Sequence, residues 1–324
     1  MSRPSPGAVG VLDRRASIGM DLSKSEGSNK NKFWLEPEEV LAMRTQHGLS
    51  EDELLQMLIT PAATLARPPI SSFHVGAVGL GISGRIYFGV NLEFVRLPLY
   101  NSVHAEQFLV VNAIHHQERE IIKLAVSAAP CGHCRQFYSE LSCANTIQFM
   151  FGKDGHTYTL AQLLPQRFGP ADLLDDPSTP LLLQPQNNDL VWSREAEEAL
   201  QARQGDGHFQ DAAASALEQA TQSYAPYSRC PAGLAIVTAK GGVYSGSYYE
   251  SAAFNPSLPP LQSAMVDAVI DGMPCYTAVL EVVLVELRGV LVEHALTTKV
   301  FLGQIAPDAK LTILHAQWKE RVNE

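Results

Sequence analysis

Two short segments hold the side chains best able to do chemistry. His104-Ala105-Glu106 is the first, and Pro130-Cys131-Gly132-His133-Cys134 is the second, with Cys131 placed 25 residues after Glu106. One imidazole and two thiolates suit zinc. Three protein ligands leave the fourth tetrahedral position for water, which marks a catalytic rather than a structural site. Zinc lowers the pKa of such a water from about 15.7 toward about 7, so hydroxide is available at neutral pH. A structural zinc would need a fourth ligand, yet His133 is poorly placed between the two cysteines, and the nearest other thiol is Cys143. On a helix, side chains two residues apart diverge by about 200°. His104 and Glu106 can therefore share a pocket only if the metal lies beyond the helix N-terminus. Cys131 stands likewise at a helix entrance, where the helix dipole favours the thiolate.

The elements that must hold these residues are legible in outline. Order begins near Trp34. Pro37 followed by Glu38 and Glu39 reads as a helix start, and Ser50 with Glu53 as a capping box before the apolar face Leu54, Leu55, Leu58 and Ile59. Pro68-Pro69 closes this helical segment. Strands are expected over His74–Leu80 and Arg85–Val90, joined by the turn Gly81-Ile82-Ser83-Gly84. A helix is expected over Ala105–His116, a strand over Ile121–Ala128, a helix over Cys134–Leu141 and a strand over Thr146–Phe151. Strands alternating with helices indicate a layered α/β domain. Cys143, Cys230 and Cys275 read as buried small hydrophobes.

Length and composition bound the rest. The chain has 324 residues, 46% of them hydrophobic and 18% charged, which excludes wholesale disorder and suits two domains. Lys and Arg number 24 against 34 Asp and Glu, a net charge of −10 that disfavours nucleic acid or an anionic membrane as partner. Five cysteines are too few and too odd for a secreted disulfide scaffold and indicate a reducing compartment, here the cytoplasm. No uncharged apolar run reaches the roughly 18 residues of a membrane span, and the start of the chain lacks the apolar core of a secretory signal. Residues 1–32 read as a disordered polar leader; its Ser and Arg content also fits an organelle transit peptide, against which Asp13, Asp21 and Glu26 count. Within it, Arg14-Arg15-Ala16-Ser17-Ile18 has the pattern of a basophilic kinase site.

The second part of the chain repeats the first. At a constant shift of 157, Pro69 meets Pro226, Gly76 meets Gly233, Gly84 meets Gly241, Tyr87 meets Tyr244, Gly89 meets Gly246 and Glu93 meets Glu250. Turn residues kept at one offset indicate duplication of a domain. The chemistry is not kept. Cys230 faces Phe73 and Tyr248 faces Asn91; after a one-residue deletion Pro260 faces His104 and Gln262 faces Glu106. Where the second Cys-x-x-Cys should fall stands Leu287-Arg288-Gly289-Val290. The second copy is therefore expected to bind no zinc and to serve as a scaffold, with Glu250 making a structural hydrogen bond. The divisions expected are 1–32 leader, 33–68 helical segment, 69–176 catalytic domain, 177–207 linker with a helix near Ser193–Arg203, and 208–324 degenerate domain.

The pattern His-x-Glu followed by Pro-Cys-x-x-Cys is a known signature of zinc nucleobase deaminases. Val103-His104-Ala105-Glu106-Gln107 and Pro130-Cys131-Gly132-His133-Cys134-Arg135-Gln136-Phe137 resemble cytidine deaminase of the long, two-domain, homodimeric type. So do Phe73-His74-Val75-Gly76-Ala77-Val78, Phe88-Gly89-Val90-Asn91-Leu92-Glu93-Phe94, Arg167-Phe168-Gly169-Pro170 and Ser245-Gly246-Ser247-Tyr248-Tyr249-Glu250. The resemblance covers roughly residues 50–320. It implies an α/β fold of duplicated three-layer α/β/α cytidine-deaminase-like domains, the second degenerate, preceded by a small helical segment. It also implies a hydrolase of pyrimidine salvage, a homodimer with one zinc per chain, converting cytidine and 2′-deoxycytidine to uridine and 2′-deoxyuridine plus ammonia. By the same resemblance His104, Cys131 and Cys134 hold zinc, Glu106 shuttles protons, Asn91 and Glu93 hold the ribose and Phe73 stacks on the pyrimidine. Phe168 and Ala253 resemble positions that reach the base from the partner subunit. Only Arg85 and Arg96 lie between Phe73 and Glu106 as cations, so a nucleoside is favoured over a nucleotide.

Overall fold

The computed structural model describes residues 32–152 and 155–319; residues 1–31 of the leader, with the Ser17 motif, lie outside the described residues. The first half runs β1 (Trp34–Leu35), α1 (Pro37–His47), α2 (Glu51–Ala63), β2 (Gly76–Gly81), β3 (Ile86–Val90), α3 (Ala105–His115), β4 (Ile121–Val126), α4 (Gly132–Phe137), β5 (Gln148–Phe151) and β6 (Thr157–Thr159). Two short helices follow, α5 (Leu160–Leu163) and α6 (Pro170–Leu173). The second half runs β7 (Leu190–Trp192), α7 (Arg194–Ala202), α8 (Gly207–Thr221), β8 (Ala232–Thr238), β9 (Val243–Ser247), α9 (Pro260–Ile270), β10 (Val279–Leu287), α10 (Ala295–Ile305) and β11 (Lys310–Trp318).

Local chemistry sets these ends. α1 begins at Pro37 with Glu38 and Glu39 in its first turn and stops at Gly48, whose φ of 63° is left-handed. At α2 the Ser50 backbone N–H donates to the Glu53 carboxylate at 2.9 Å and the Glu53 N–H donates to the Ser50 hydroxyl at 3.3 Å. Leu54, Leu55 and Leu58 of that helix are buried, and Ile59 is half-buried. The helix expected from Cys134 starts at Gly132, tightens after Phe137 and ends as a 3₁₀ turn over Tyr138–Glu140.

Both halves build the same sheet. The first has the order β1-β3-β2-β4-β5-β6 and the second β7-β11-β10-β8-β9. With β2, β3, β4 and β5 matched to β8, β9, β10 and β11, the four central strands have one order and one set of directions: β2 antiparallel to β3 and β4, and β4 parallel to β5 across α4; β8 antiparallel to β9 and β10, and β10 parallel to β11 across α10. Helices cover both faces. A Cβ on Gly76 would lie 2.4 Å from the Ile59 carbonyl of α2, and one on Gly233 would lie 2.3 Å from the Ala216 carbonyl of α8, positions again 157 apart. On the opposite faces α3 lies on β3 and α9 on β9, and α3 packs against α9. The layers thus run α2, first sheet, α3 with α9, second sheet, α8, and one apolar core from Leu109 to Met265 joins the halves. This is the duplicated α/β architecture expected.

Two findings differ from expectation. Residues 190–202 of the stretch read as a linker are built into the second half, since β7 pairs antiparallel with β11 through Trp192–Ala316 and Leu190–Trp318. Cys275 is exposed while Cys143 and Cys230 are buried, because Cys275 stands in the loop after α9 with its thiol beside the Thr277 hydroxyl.

Gly89 fixes the distance between β3 and the start of α3. A Cβ there would lie 2.0 Å from the Ala105 carbonyl, backbone that cannot swing aside. Gly89→Ala is expected to destabilise the protein by about 3 kcal/mol. An unchanged urea midpoint would show that the strand and helix can separate freely.

Candidate active site

The three candidate ligands all stand at helix starts. His104 is the N-cap of α3, with φ −78° and ψ 150°, and Cys131 is the N-cap of α4, with φ −70° and ψ 169°. Extended backbone at a cap places the side chain over the helix end, which lets His104 and Glu106 face one pocket. His104 Nδ1 lies 3.5 Å from Cys131 Sγ and 3.3 Å from Cys134 Sγ, and the two sulfurs are 3.6 Å apart. Tetrahedral zinc with bonds of about 2.3 Å to sulfur and 2.0 Å to nitrogen separates its sulfurs by about 3.8 Å and nitrogen from sulfur by about 3.5 Å. The trio fits that ion in both donor type and spacing. Among the described residues it is the group of His, Cys, Asp and Glu able to hold a metal. Cys134 is buried and Cys131 exposed, so the site is closed behind and open in front.

Electrostatics suit the chemistry. Glu106 is only 5% exposed, and burial raises its pKa above the usual carboxylate range against the pull of His104. A raised pKa favours the protonated carboxyl, which suits a group that must take up a proton and pass it on. The Cys131 thiol is drawn down to about 3 by the hydrogen bond with Cys134 and then by His104. Cys134 is pushed up, chiefly by burial.

Phe73, Asn91 and Glu93 lie together on one rim. Asn91 Oδ1 accepts from Val75 N–H at 2.9 Å, and Asn91 Nδ2 donates to the Phe73 carbonyl at 2.9 Å. Glu93 accepts from the backbone N–H groups of Ile70 and Ser71 at 2.8 and 2.9 Å and from the Ser71 hydroxyl. The Phe73 side chain is left 60% exposed. Phe168 is also exposed, its carbonyl held by Gln136 Nε2 from the metal-bearing segment. Ala253 is exposed on a loop whose Pro256 carbonyl accepts from Gln107 Nε2 at 2.9 Å, next to Glu106. A cleft of about 1290 Å³ lined by Asp175, Tyr227, Arg229 and Phe254 contains none of the trio; ligand chemistry places the site at the trio instead.

The family described as "Cytidine and deoxycytidylate deaminase zinc-binding region" matches residues 49–150 and, in a second form, residues 160–299. Cytidine deaminase 1 of Arabidopsis thaliana is 41% identical over 307 residues, covering 89% of this chain and 98% of its own length. The chain belongs to the cytidine deaminase family. A cytidine deaminase of Yersinia pseudotuberculosis is 38% identical over 295 residues, covering 91% of this chain and 94% of its own. A solved cytidine deaminase from Mycobacterium tuberculosis matches 38% of this chain and all of its own at 28% identity, with a TM-score of 0.34.

The chain keeps the frame of the site in its second half and loses the chemistry. Glu250 accepts from the Tyr227 and Ser228 N–H groups at 2.9 and 3.1 Å and from the Ser228 hydroxyl, the same brace that Glu93 makes 157 residues earlier. Ser72 and its counterpart Arg229 share left-handed φ values of 57° and 55°. The helix starts match one place away from the expected pairing: Pro259 caps α9 where His104 caps α3, so apolar Leu261 stands where Glu106 does, and buried Gln262 matches Gln107 rather than Glu106. His294 caps α10 as Cys131 caps α4, and its ring meets that of Tyr248, the counterpart of Asn91, edge to face at 4.4 Å.

His294 is 6% exposed and burial lowers its pKa from 6.5 to about 4. The fold therefore holds it neutral. Its contribution is complete above pH 6.5 and is lost as pH falls toward 4, by about 1.4 kcal/mol per unit. Urea unfolding free energies at pH 7, 6 and 5 should fall more steeply for wild type than for His294→Leu; parallel curves would contradict this.

Proposed function

We propose that the protein hydrolyses cytidine and 2′-deoxycytidine to uridine and 2′-deoxyuridine, releasing ammonia, as a step of pyrimidine salvage. The observation that carries this reading is a buried, proton-competent Glu106 beside a His104, Cys131 and Cys134 set spaced for zinc. One zinc per chain, held by those three residues, supplies a Lewis acid that makes water nucleophilic at neutral pH. Glu106 takes a proton from the attacking water and delivers it to the ring nitrogen. It then takes the proton of the hydroxyl newly bonded to the ring carbon and passes it to the exocyclic amino group, which leaves as ammonia while that carbon becomes a carbonyl.

Phe73 offers its exposed face to the pyrimidine. Asn91, pinned at both ends of its amide, and Glu93, with three of its roughly four acceptor positions filled, offer fixed partners to the ribose hydroxyls. Arg85 is committed to Glu36 at 2.8 Å, which supports a nucleoside rather than a nucleotide. Ile70, Phe73, Leu99, Tyr100 and Phe168 are exposed apolar side chains of the first half. That surface supports a homodimer, with Phe168 and Ala253 reaching the partner's base. The domain limits proposed are 33–68, 69–176 and 208–324, with β7 and α7 of the intervening 177–207 added to the last of these through the pairing of β7 with β11. Five free cysteines support a cytoplasmic setting. Among the described residues no helix is long and apolar enough to cross a membrane.

The test is ultraviolet absorbance of cytidine, deoxycytidine and the 5′-monophosphate with purified protein. Both nucleosides should be converted and the monophosphate spared. Turnover of neither nucleoside would overturn the reading, and preferred turnover of the monophosphate would move it to nucleotides.

A further inference from the structure

One buried carboxylate belongs to neither the metal set nor the ribose rim. Glu140 is fully buried at the end of the 3₁₀ turn that continues α4, six residues beyond Cys134. Its partners come from the second half of the chain. The Tyr224 hydroxyl donates to Glu140 Oε2 at 3.0 Å, the Tyr227 hydroxyl donates to the same oxygen, and the Ala252 N–H donates to Oε1 at 2.8 Å. Its backbone carbonyl is taken by Leu182 N–H at 2.9 Å.

The donors occupy significant places. Tyr224, Tyr227 and Ala252 stand 157 residues after Arg67, Ile70 and Val95, which flank the ribose rim of the first half. The turn that carries Tyr227 is still braced by Glu250 as the first is by Glu93. The degenerate half has thus kept the frame of a nucleoside pocket with no metal group beside it, and has turned that frame's side chains onto the segment bearing Cys131 and Cys134.

We infer that Glu140 is a positioning residue through which the second half holds the zinc-bearing segment in place. A carboxylate gripped by three donors on another body cannot drift, and hydrogen bonds to charged groups are the strong ones. The helical run from Gly132 to Glu140 carries that restraint back to Cys134. Glu140 touches no reacting atom. Its role is to keep the two thiolates and His104 at their spacing, and this gives the metal-free half a function beyond bulk.

The inference rests on the zinc reading of the site, and its test needs no substrate. Zinc release from the holoenzyme into a colorimetric chelator is measured for wild type, Glu140→Ala, Glu140→Gln and the double variant Tyr224→Phe/Tyr227→Phe. Glu140→Ala should release zinc at least about tenfold faster, the equivalent of one charged hydrogen bond. Glu140→Gln, whose amide oxygen still accepts from Ala252 N–H, should stay within about threefold of wild type, and the double Phe variant should fall between. A folded Glu140→Ala with a lowered melting temperature and unchanged zinc release would overturn the inference. If Glu140→Ala does not fold, unchanged release from the double Phe variant overturns it. A wild-type protein that holds zinc and leaves cytidine intact would overturn the proposed function and leave this test readable.

Discussion

Glu106→Gln is expected to keep the zinc and to lower kcat for cytidine by about a thousandfold. The amide matches the carboxyl in shape, so packing at the start of α3 survives. It cannot accept or deliver a proton, and both protons moved in the proposed reaction pass through this one side chain. The loss should appear equally in kcat and kcat/KM, because the missing interaction is made only on the way to the transition state. Burial has already raised the Glu106 pKa above the usual carboxylate range, which favours the protonated form the shuttle must pass through. If the variant instead loses its metal, Glu106 is a ligand and the proton-shuttle mechanism is wrong.

Cys134→Ala should abolish stoichiometric zinc and reduce turnover by at least about a thousandfold, since two protein ligands do not make a site for this ion. Cys143→Ala is the control. Cys143 is also a buried free thiol, but it lies outside the trio. Its loss should lower stability modestly and leave metal and rate intact. Metal analysis and cytidine kinetics on the two variants separate the role of a ligand from that of a small buried hydrophobe. Equal effects from both would contradict the assignment.

Much of the site is legible in the amino-acid sequence. The His-x-Glu and Pro-Cys-x-x-Cys spacings are local, and the requirement that the metal lie beyond a helix N-terminus follows from helix geometry alone. His104 and Cys131 are indeed N-caps. The duplication is legible because Gly76, Gly233, Gly89 and Gly246 recur at one offset, and each is a place where a helix backbone presses on a strand. What the sequence hides depends on partners far away in the chain. Leu190-Val191-Trp192 sits among Pro, Gln, Asn and Asp and has no strand signature of its own; it becomes a strand by pairing with β11 near the other end of the second half. Glu140 reads as one more polar position in a helical run. Its donors lie 84, 87 and 112 residues away, and no local pattern signals them. Glu93 carries a different lesson. Glu250 makes the same brace without a metal beside it, so the bracing is part of the inherited frame, and the ribose contact proposed for Glu93 uses what acceptor capacity remains.

The central claim is that two copies of one fold carry a single metal centre, in the first. Metal content of the intact protein, by native mass spectrometry beside elemental analysis, tests it most directly. The expected result is one zinc per chain in wild type and none in Cys134→Ala. Two per chain in wild type, or one retained after Cys134 is removed, would contradict it.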